Sequence, residues 1–243
     1  AKSLFRGLRD YNAVASVVCR LENNSDGVKT SIFGIGYGGL IITNQHLLQR
    51  NNGELRVISR HGDFLIRNTT TMSVFPCKGY DLMIIRMPKD FPPFPQRIRF
   101  RLPEQNEKIC MVGSNFQDKS ISSMISESSI TVPEIGSKFW KHWIDTKDGQ
   151  CGLPLVSTRD GFIIGIHSLA SNYSTVNYFA NLPGDFENSV LKTPENLAWV
   201  QGWKYNENEV CWGGLKLTRS MPCGLFKTSK LVTDLADTSV RVQ

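Results

Sequence analysis

Residues 31–47 read SIFGIGYGGLIITNQHL and show the pattern that decides the fold. Two short apolar runs, Ser31–Gly36 and Leu40–Thr43, are rich in Ile and bounded by Gly and Asn. Runs of this length and composition are typical of β-strands. Similar runs recur along the chain, whereas long stretches with helical periodicity are scarce. The sequence therefore predicts an all-β protein.

The predicted strands fall into two groups, which favours two antiparallel β-barrels over one sandwich. We expect an N-terminal barrel over residues 1–112, a C-terminal barrel over residues 113–215 and a C-terminal extension over residues 216–243. A short helical turn is expected within that extension, at Lys230–Ala236. The other predicted strands are Glu54–Ser59, Phe64–Arg67, Leu82–Met87, Arg97–Arg101, Lys108–Val112, Ser120–Glu127, Trp143–Thr146, Pro154–Ser157 and Phe162–Ser168.

Composition narrows the class of protein. The chain has 243 residues, of which 40% are hydrophobic and 21% charged, as in an ordinary globular protein. No run approaches the roughly 18 apolar residues of a membrane-spanning helix, and the basic start AKSLFRGLRD lacks an apolar signal core, so secretion is not expected. The six cysteines form no CxxC pair, which fits a reduced, intracellular setting.

The net charge supports a second hypothesis of function. A formal charge of +6 attracts nucleic acid through an electrostatic force that does not depend on base sequence. The basic residues are scattered, however, and an aromatic RNA-binding strand motif is absent from the sequence. A basic RNA-binding module therefore stays open as an alternative, alone or beside another activity.

Cys151 is the first candidate for chemistry. It lies in the segment KDGQCG, Lys147–Gly152, directly before the apolar run Leu153–Ser157. Glycines permit a tight turn that aims successive backbone N–H groups at one point, which predicts an oxyanion hole formed by the N–H groups of Gly149 and Cys151. A hairpin turn with a buried thiol is one alternative interpretation, and a serine nucleophile elsewhere is another.

A thiol needs a base to be an effective nucleophile at neutral pH, and the base is expected to be a histidine. His46 follows an apolar strand that ends in polar residues, where a loop-borne catalytic group would be held by a rigid scaffold. His61 lies in a turn and is expected to be exposed. His142, between Trp140 and Trp143, is interpreted as a packing residue.

An imidazole base also needs a partner that fixes its orientation, usually a carboxylate. Asp81 opens the apolar run LMII, so its carboxylate should be shielded from water and require a partner. Asp63 is the competitor, because it also precedes an apolar segment. In chain order the candidates are His46, Asp81 and Cys151, and only the last falls in the second strand group. This order predicts an active site between the two barrels.

Longer segments carry a resemblance to a known family. FGIGYGG, ITNQHL, DLMIIRMPKDFPPFPQ, FWKHWIDTKDGQCGLPLVSTRDG and GIHSLASNYSTVNYF resemble the nuclear inclusion a proteases of potyviruses, and the match runs from Ser3 to Gly214. The resemblance implies a chymotrypsin-like double β-barrel in which cysteine replaces the usual serine. It makes His46 the general base, Asp81 its orienting carboxylate and Cys151 the nucleophile.

The same resemblance implies the substrate. The family processes a viral polyprotein by cutting after glutamine and before a small residue, in the host cytoplasm and nucleus, with no metal or organic cofactor. Thr146 and His167 would bind the glutamine amide, Asp148 would lie on the wall of the substrate site, and Tyr178 would line more distant subsites. The family's precursor also associates with RNA, so both hypotheses of function can hold together.

The last residues, Thr238–Gln243, read TSVRVQ. A final glutamine after alternating valines is what an enzyme would carry if it had released itself from a polyprotein. We therefore expect this segment to reach the active site as a cleavage product, with Gln243 before the cut bond.

Overall fold

The structure is a computed structural model that describes residues 11–116, 122–219 and 238–243. Its secondary structure is nearly all β, as predicted, and lies in two sheets. Among the described residues, helices are short, and none is long and apolar enough to cross a membrane. The strands are β1 (Val18–Ser25), β2 (Val28–Tyr37), β3 (Leu40–Thr43), β4 (Glu54–Ser59), β5 (Gly62–Ile66), β6 (Ser73–Pro76), β7 (Met83–Arg86), β8 (Lys108–Asn115), β9 (Ser122–Ile125), β10 (Ser129–Ile130), β11 (Val132–Pro133), β12 (Phe139–His142), β13 (Pro154–Ser157), β14 (Ile163–Ser171), β15 (Asn177–Ala180), β16 (Lys216–Leu217) and β17 (Ser239–Val242).

The first sheet has the strand order β5-β4-β1-β2-β3-β7-β6. All four residues of β3 are buried, whereas burial alternates along β4, so the sheet has one face toward the core and one partly toward solvent. Each fully buried aliphatic side chain stabilises the fold by about 1.5–3 kcal/mol. β3 and β7 pair side by side and carry the two loops that lead to His46 and Asp81.

The second sheet has the strand order β10-β8-β13-β14-β15-β12-β11, with β9 added to β8 and β17 held between β14 and β16. β14 is its centre, because all nine of its residues are buried and it pairs with three strands. β8 belongs wholly to this sheet although it crosses residue 112, and β16 and β17 bring parts of 216–243 into it. The division at residues 112 and 215 stays a prediction.

Most predicted strands coincide with strands of the structure. β3, β4 and β13 have the predicted bounds, and β2, β5, β7, β8, β9 and β14 overlap the predicted runs. The unpredicted strands are short or polar. β1 reads VCRLENNS and is nevertheless paired on both sides, and from Cys19 onward its buried residues alternate with polar residues that are less buried. Local composition does not reveal such pairing.

The prediction of a strand at Arg97–Arg101 is wrong. Ile98 and Phe100 are buried, which produces the alternating pattern, but the segment makes only an isolated bridge from Phe100 to Ile163. The backbone N–H of Phe100 donates to the Glu187 carboxylate at 2.7 Å in place of a neighbouring strand. The segment is a connection packed along the second sheet.

The prediction of a strand at Trp143–Thr146 is also wrong, because β12 ends one residue earlier, at His142. Beyond it the backbone bonds to side chains. Trp143 N–H donates to Ser129 Oγ at 2.9 Å, and Ile144 N–H donates to Nδ1 of His142 at 3.1 Å. Side-chain acceptors thus replace the strand ladder that the apolar residues suggested.

The chain after Lys216 is not a plain extended tail, since β16 and β17 are strands of the second sheet. The helical turn expected at Lys230–Ala236 lies outside the described residues. One large buried cluster joins residues of both sheets, from Ile35 of β2 to Val156 of β13. The functional loops therefore meet over a continuous core.

Candidate active site

His46 and Asp81 form a buried pair. His46 lies in the short helical turn Gln45–Leu48 that follows β3, and Asp81 lies just before β7. Nδ1 of His46 is 2.8 Å from Oδ2 of Asp81, and the backbone N–H of His46 donates to Oδ1 at 3.2 Å. Both side chains are at most 2% exposed. The loops at the ends of β3 and β7 thus hold the His46 ring in place, because both its Nδ1 and the backbone N–H of His46 contact the Asp81 carboxylate.

Two further residues bind the Asp81 carboxylate, and sequence reasoning missed both. Ser168 donates its hydroxyl to Oδ2, and Asn44 Nδ2 lies 3.3 Å from the same oxygen and 3.1 Å from the carbonyl of His167. Burial would raise the pKa of Asp81, but the His46 ring and the donated hydrogen bonds outweigh it and lower this pKa. The carboxylate is therefore ionised at neutral pH.

Cys151 lies on a turn whose glycines have left-handed backbone angles. φ is +92° at Gly149 and +88° at Gly152. The carbonyl of Cys151 accepts from Phe33 N–H of β2 at 2.8 Å, and Gly152 N–H donates to the carbonyl of His167 at 2.9 Å. The turn is thus fastened to both sheets, and Cys151 is completely buried.

The Cys151 thiol and the His46 ring influence each other. Burial disfavours charge on His46, but the Asp81 carboxylate and an ionised Cys151 outweigh it and raise the pKa of His46. Burial raises the pKa of Cys151, and His46 opposes that increase. Nε2 of His46 has no hydrogen-bond partner within the described chain, and the thiol instead donates to the Ser168 carbonyl at 2.9 Å. The ring and the thiol are close enough for each to shift the pKa of the other.

Gln243 occupies a pocket beside this cluster. Its side-chain oxygen Oε1 accepts from Thr146 Oγ1 at 2.7 Å and lies 2.6 Å from Nε2 of His167. Its main-chain oxygen accepts from Gly149 N–H at 2.6 Å, and its own N–H donates to the Ser168 carbonyl at 3.2 Å. Of the two N–H groups predicted to form an oxyanion hole, that of Gly149 contacts this oxygen, and the contacts described for the oxygen do not include Cys151 N–H.

The residues before Gln243 lie in an extended groove. In β17, Val242, Arg241 and Val240 pair antiparallel with Leu169, Ala170 and Ser171 of β14, while the other edge pairs with β16. Val240 is fully buried, and Nη1 of Arg241 donates to the Ser171 carbonyl at 3.1 Å. The segment is thus held mainly through its backbone, as an added strand.

The remaining predicted residues are placed as follows. Asp148 is exposed in the turn before Gly149, and the described contacts of Gln243 do not include it. Tyr178 is buried in β15 opposite Leu169, the same residue that pairs with Val242. It therefore lies one strand away from the groove.

The competing residues lie elsewhere. Asp63 is exposed and 3.7 Å from Arg56 on the edge of the first sheet. His61 is partly buried against Phe91 and Phe94, so the expectation that it is exposed is wrong. The hydroxyl of Ser168 donates to Asp81, so this serine binds the carboxylate and does not lie where a nucleophile would.

His142 is more than a packing residue. It is fully buried, and its Nε2 lies 3.0 Å from Nδ1 of His167. Burial, reinforced by the neighbouring His167, lowers the pKa of His142 well below its ordinary value. The sequence gives no signal for this contact, because it depends on the path of the backbone after β12, two residues before Ile144.

Two β-sheets with histidine and aspartate on one and cysteine on the other define a chymotrypsin-like cysteine peptidase. The chain belongs to peptidase family C4, whose family description matches residues 1–233. It is 55% identical over 235 residues to the genome polyprotein of plum pox potyvirus (isolate NAT), covering 97% of this chain and 8% of that polyprotein. It is a potyviral-type cysteine endopeptidase.

Solved structures agree with the fold. The tobacco etch virus protease in complex with product has a TM-score of 0.79 and 57% identity, covering 84% of this chain and 89% of that chain. The tobacco vein mottling virus protease has a TM-score of 0.84 and 47% identity, covering 88% of this chain and 98% of that chain. The predicted chymotrypsin-like fold and the family resemblance are confirmed.

Proposed function

We propose that this chain cleaves a viral polyprotein after glutamine, with Cys151 as nucleophile, His46 as general base and Asp81 as its orienting carboxylate. The observation that carries the proposal is the position of Gln243. Its side chain lies in a pocket of hydrogen-bond donors, and its main-chain oxygen contacts Gly149 N–H beside the Cys151 turn. A residue before a cut bond would occupy this position.

The reaction follows from the arrangement of these groups. His46 takes the thiol proton as the sulfur attacks the carbonyl carbon of the glutamine, and Gly149 N–H stabilises the negative oxygen. The tetrahedral species collapses, the C–N bond breaks, and His46 gives its proton to the leaving amine. Water, deprotonated by His46, then attacks the thioester and releases the glutamine carboxylate and the free thiol. The Asp81 carboxylate stabilises the positive charge on the His46 ring in both steps.

Glutamine is selected by two donors that converge on one oxygen. Thr146 and His167 both point at Oε1 of Gln243. An apolar side chain in the pocket would leave these two donors unpaired, at a cost of about 1–3 kcal/mol for each. Since about 1.4 kcal/mol is tenfold, discrimination of tenfold or more is expected.

The substrate is proposed from the groove and the relatives together. β17 shows that the groove accepts an extended Val-Arg-Val-Gln segment, and the curated relatives are genome polyproteins of which this chain spans 8%. The tobacco etch virus protease was solved with product, which supports peptide binding at this place. Cutting at the junction after Gln243, action in the host cytoplasm and nucleus, and RNA binding stay predictions.

A synthetic peptide tests the proposal. Thr-Ser-Val-Arg-Val-Gln-Ser-Gly should be cut between Gln and Ser, and the peptide with Ala in place of Gln should be cut at least about tenfold more slowly. Mass spectrometry identifies the bond. The Cys151→Ala protein is the matched control and should be inactive. An uncut glutamine peptide, or equal cleavage by Cys151→Ala, would overturn the assignment.

A further inference from the structure

The ring of His142 has its proton position set by the backbone. Ile144 N–H points at Nδ1 of His142 at 3.1 Å, and a backbone amide can only donate. Nδ1 must therefore be the accepting nitrogen, and the ring proton must lie on Nε2. The backbone around it is held in turn: Asn177 Nδ2 donates to the Ile144 carbonyl at 2.8 Å, and β12 and β15 pair His142 with Asn177.

The proton position of His142 determines that of His167. Nε2–H of His142 points at Nδ1 of His167 at 3.0 Å, so Nδ1 accepts and the proton of His167 lies on Nε2. That Nε2–H is directed at Oε1 of Gln243, 2.6 Å away. The three hydrogen bonds are thus all donated in the same direction, from the Ile144 amide through the two rings to the glutamine oxygen.

We propose that His142 is a positioning residue that holds His167 as the neutral Nε2–H tautomer and so makes the pocket select glutamine over glutamate. This inference rests on the proposed cleavage after glutamine. To accept a second proton, His167 would place an N–H at Nδ1, facing the Nε2–H of His142. His142 could then accept only by moving its own proton to Nδ1, against the Ile144 amide. This series of hydrogen bonds from Ile144 through His142 to His167, here called the relay, therefore opposes an imidazolium at His167.

The charge of the His167 ring determines whether the pocket favours glutamine or glutamate. A glutamate carboxylate buried in the pocket would need a compensating positive charge, whereas a glutamine amide does not. Burial, partly offset by the hydrogen bond to Gln243 and reinforced by His46, lowers the pKa of His167 to about 4. His142 and His46 are the titratable groups that act on His167, and neither supplies an anion to stabilise a second proton.

Two substitutions at one position separate the relay from packing. His142→Leu removes both ring nitrogens, whereas His142→Gln keeps an N–H donor toward His167. We expect His142→Leu to reduce the ratio of kcat/KM for the Gln peptide over the matching Glu peptide by tenfold or more, most strongly at pH 5.5. His142→Gln should retain most of the ratio. His61→Leu, remote from the pocket, is the matched control and should behave as wild type.

The tautomer can be read directly by NMR of ring nitrogens in the full-length, ¹⁵N-histidine-labelled Cys151→Ala protein. We expect the Nε2–H signature for His142 and His167 from pH 5.5 to 8, and a His167 that titrates in His142→Leu. Unchanged selectivity in a folded His142→Leu protein would overturn the proposal. If that variant fails to fold, the NMR measurement decides. A His167 ring that carries its proton on Nδ1, or protons on both nitrogens at neutral pH, would overturn the proposal. A wild-type enzyme that leaves the Gln peptide intact would instead refute the proposed function.

Discussion

Three buried histidines near one cleft lie in opposite electrostatic surroundings. Asp81 contacts His46 and makes charge on that ring favourable, so the pKa of His46 is raised. His142 and His167 contact each other, with no carboxylate among the groups that shift them, and burial lowers the pKa of both. The same residue type is thereby suited to carry protons in one place and to remain neutral in the other.

This difference predicts how stability responds to acid. As pH falls below about 6.5, an unfolded histidine takes up a proton, whereas folded His167, with a pKa of about 4, does not. The unfolded state then binds more protons, so His167 lowers stability by about 2 kcal/mol between pH 7 and pH 5. His46 acts in the opposite direction, because its pKa is raised in the folded state.

Urea unfolding of the Cys151→Ala protein at pH 7 and pH 5, with and without His167→Gln, isolates the His167 contribution. The variant should lose about 2 kcal/mol less on acidification than its parent. Equal pH dependence of the two proteins would contradict a neutral, buried His167.

The sequence predicts those candidate residues that have local signals. His46 follows a clear strand, Asp81 opens one, and Cys151 lies between glycines. Asn44 and Ser168 have no such signal, because both act by reaching Asp81 across contacts that exist only in the folded chain. The tryptophan neighbours of His142 predict a packing role, whereas its hydrogen bonds depend on the backbone leaving β12 at that residue.

Strand β17 shows why a strand can escape prediction. Four residues, Ser239–Val242, follow a stretch without dense apolar periodicity, and they become a strand because the edges of β14 and β16 offer unpaired backbone groups. Thr218 N–H donates to the Val240 carbonyl at 2.8 Å, and Asn172 N–H donates to the Ser239 carbonyl at 3.0 Å. This pairing depends on strands that are distant in sequence, so the local β-propensity of these four residues does not predict it.

Because β17 fills the groove that a substrate would use, its removal should favour substrates added in trans. We expect a chain without residues 238–243 to have a KM for the Gln peptide lower by at least about threefold with unchanged kcat, since a tethered product competes at a high effective concentration. Steady-state kinetics measures both constants. Gln243→Ala, which keeps the strand and loses the pocket contacts, should be intermediate. An unchanged KM would show that the tail does not occupy the groove in solution.

The site exists only where the two sheets meet. The first sheet contributes His46 and Asp81, the second contributes Cys151 and the glutamine pocket, and a buried cluster runs through both. Two strand groups in the sequence predict this division, but not the contact that aligns the halves. That contact is a backbone hydrogen bond from Phe33 of β2 to the Cys151 carbonyl, and side-chain patterning carries no signal for it.

Gly152 is the position where this alignment is most sensitive. Its φ of +88° disfavours a side chain, and a Cβ there would lie 1.8 Å from the Phe33 carbonyl oxygen. Gly152→Ala should therefore push the Cys151 turn away from β2. A displacement of about 1 Å is expected to lower kcat/KM by about 10²-fold, and left-handed strain with the clash should cost more than about 2 kcal/mol of stability.

Gly62 is the matched control for that substitution, since its φ is +83° but a Cβ would meet nothing within 4 Å. Gly62→Ala should show only the backbone strain, about 1–2 kcal/mol by urea unfolding, with kcat/KM for the Gln peptide close to wild type. Comparing the two variants separates a left-handed residue that merely strains a hairpin from one that sets the distance between the halves. If Gly152→Ala lost no more activity than Gly62→Ala, the register of the two sheets would not be what places Cys151 beside His46.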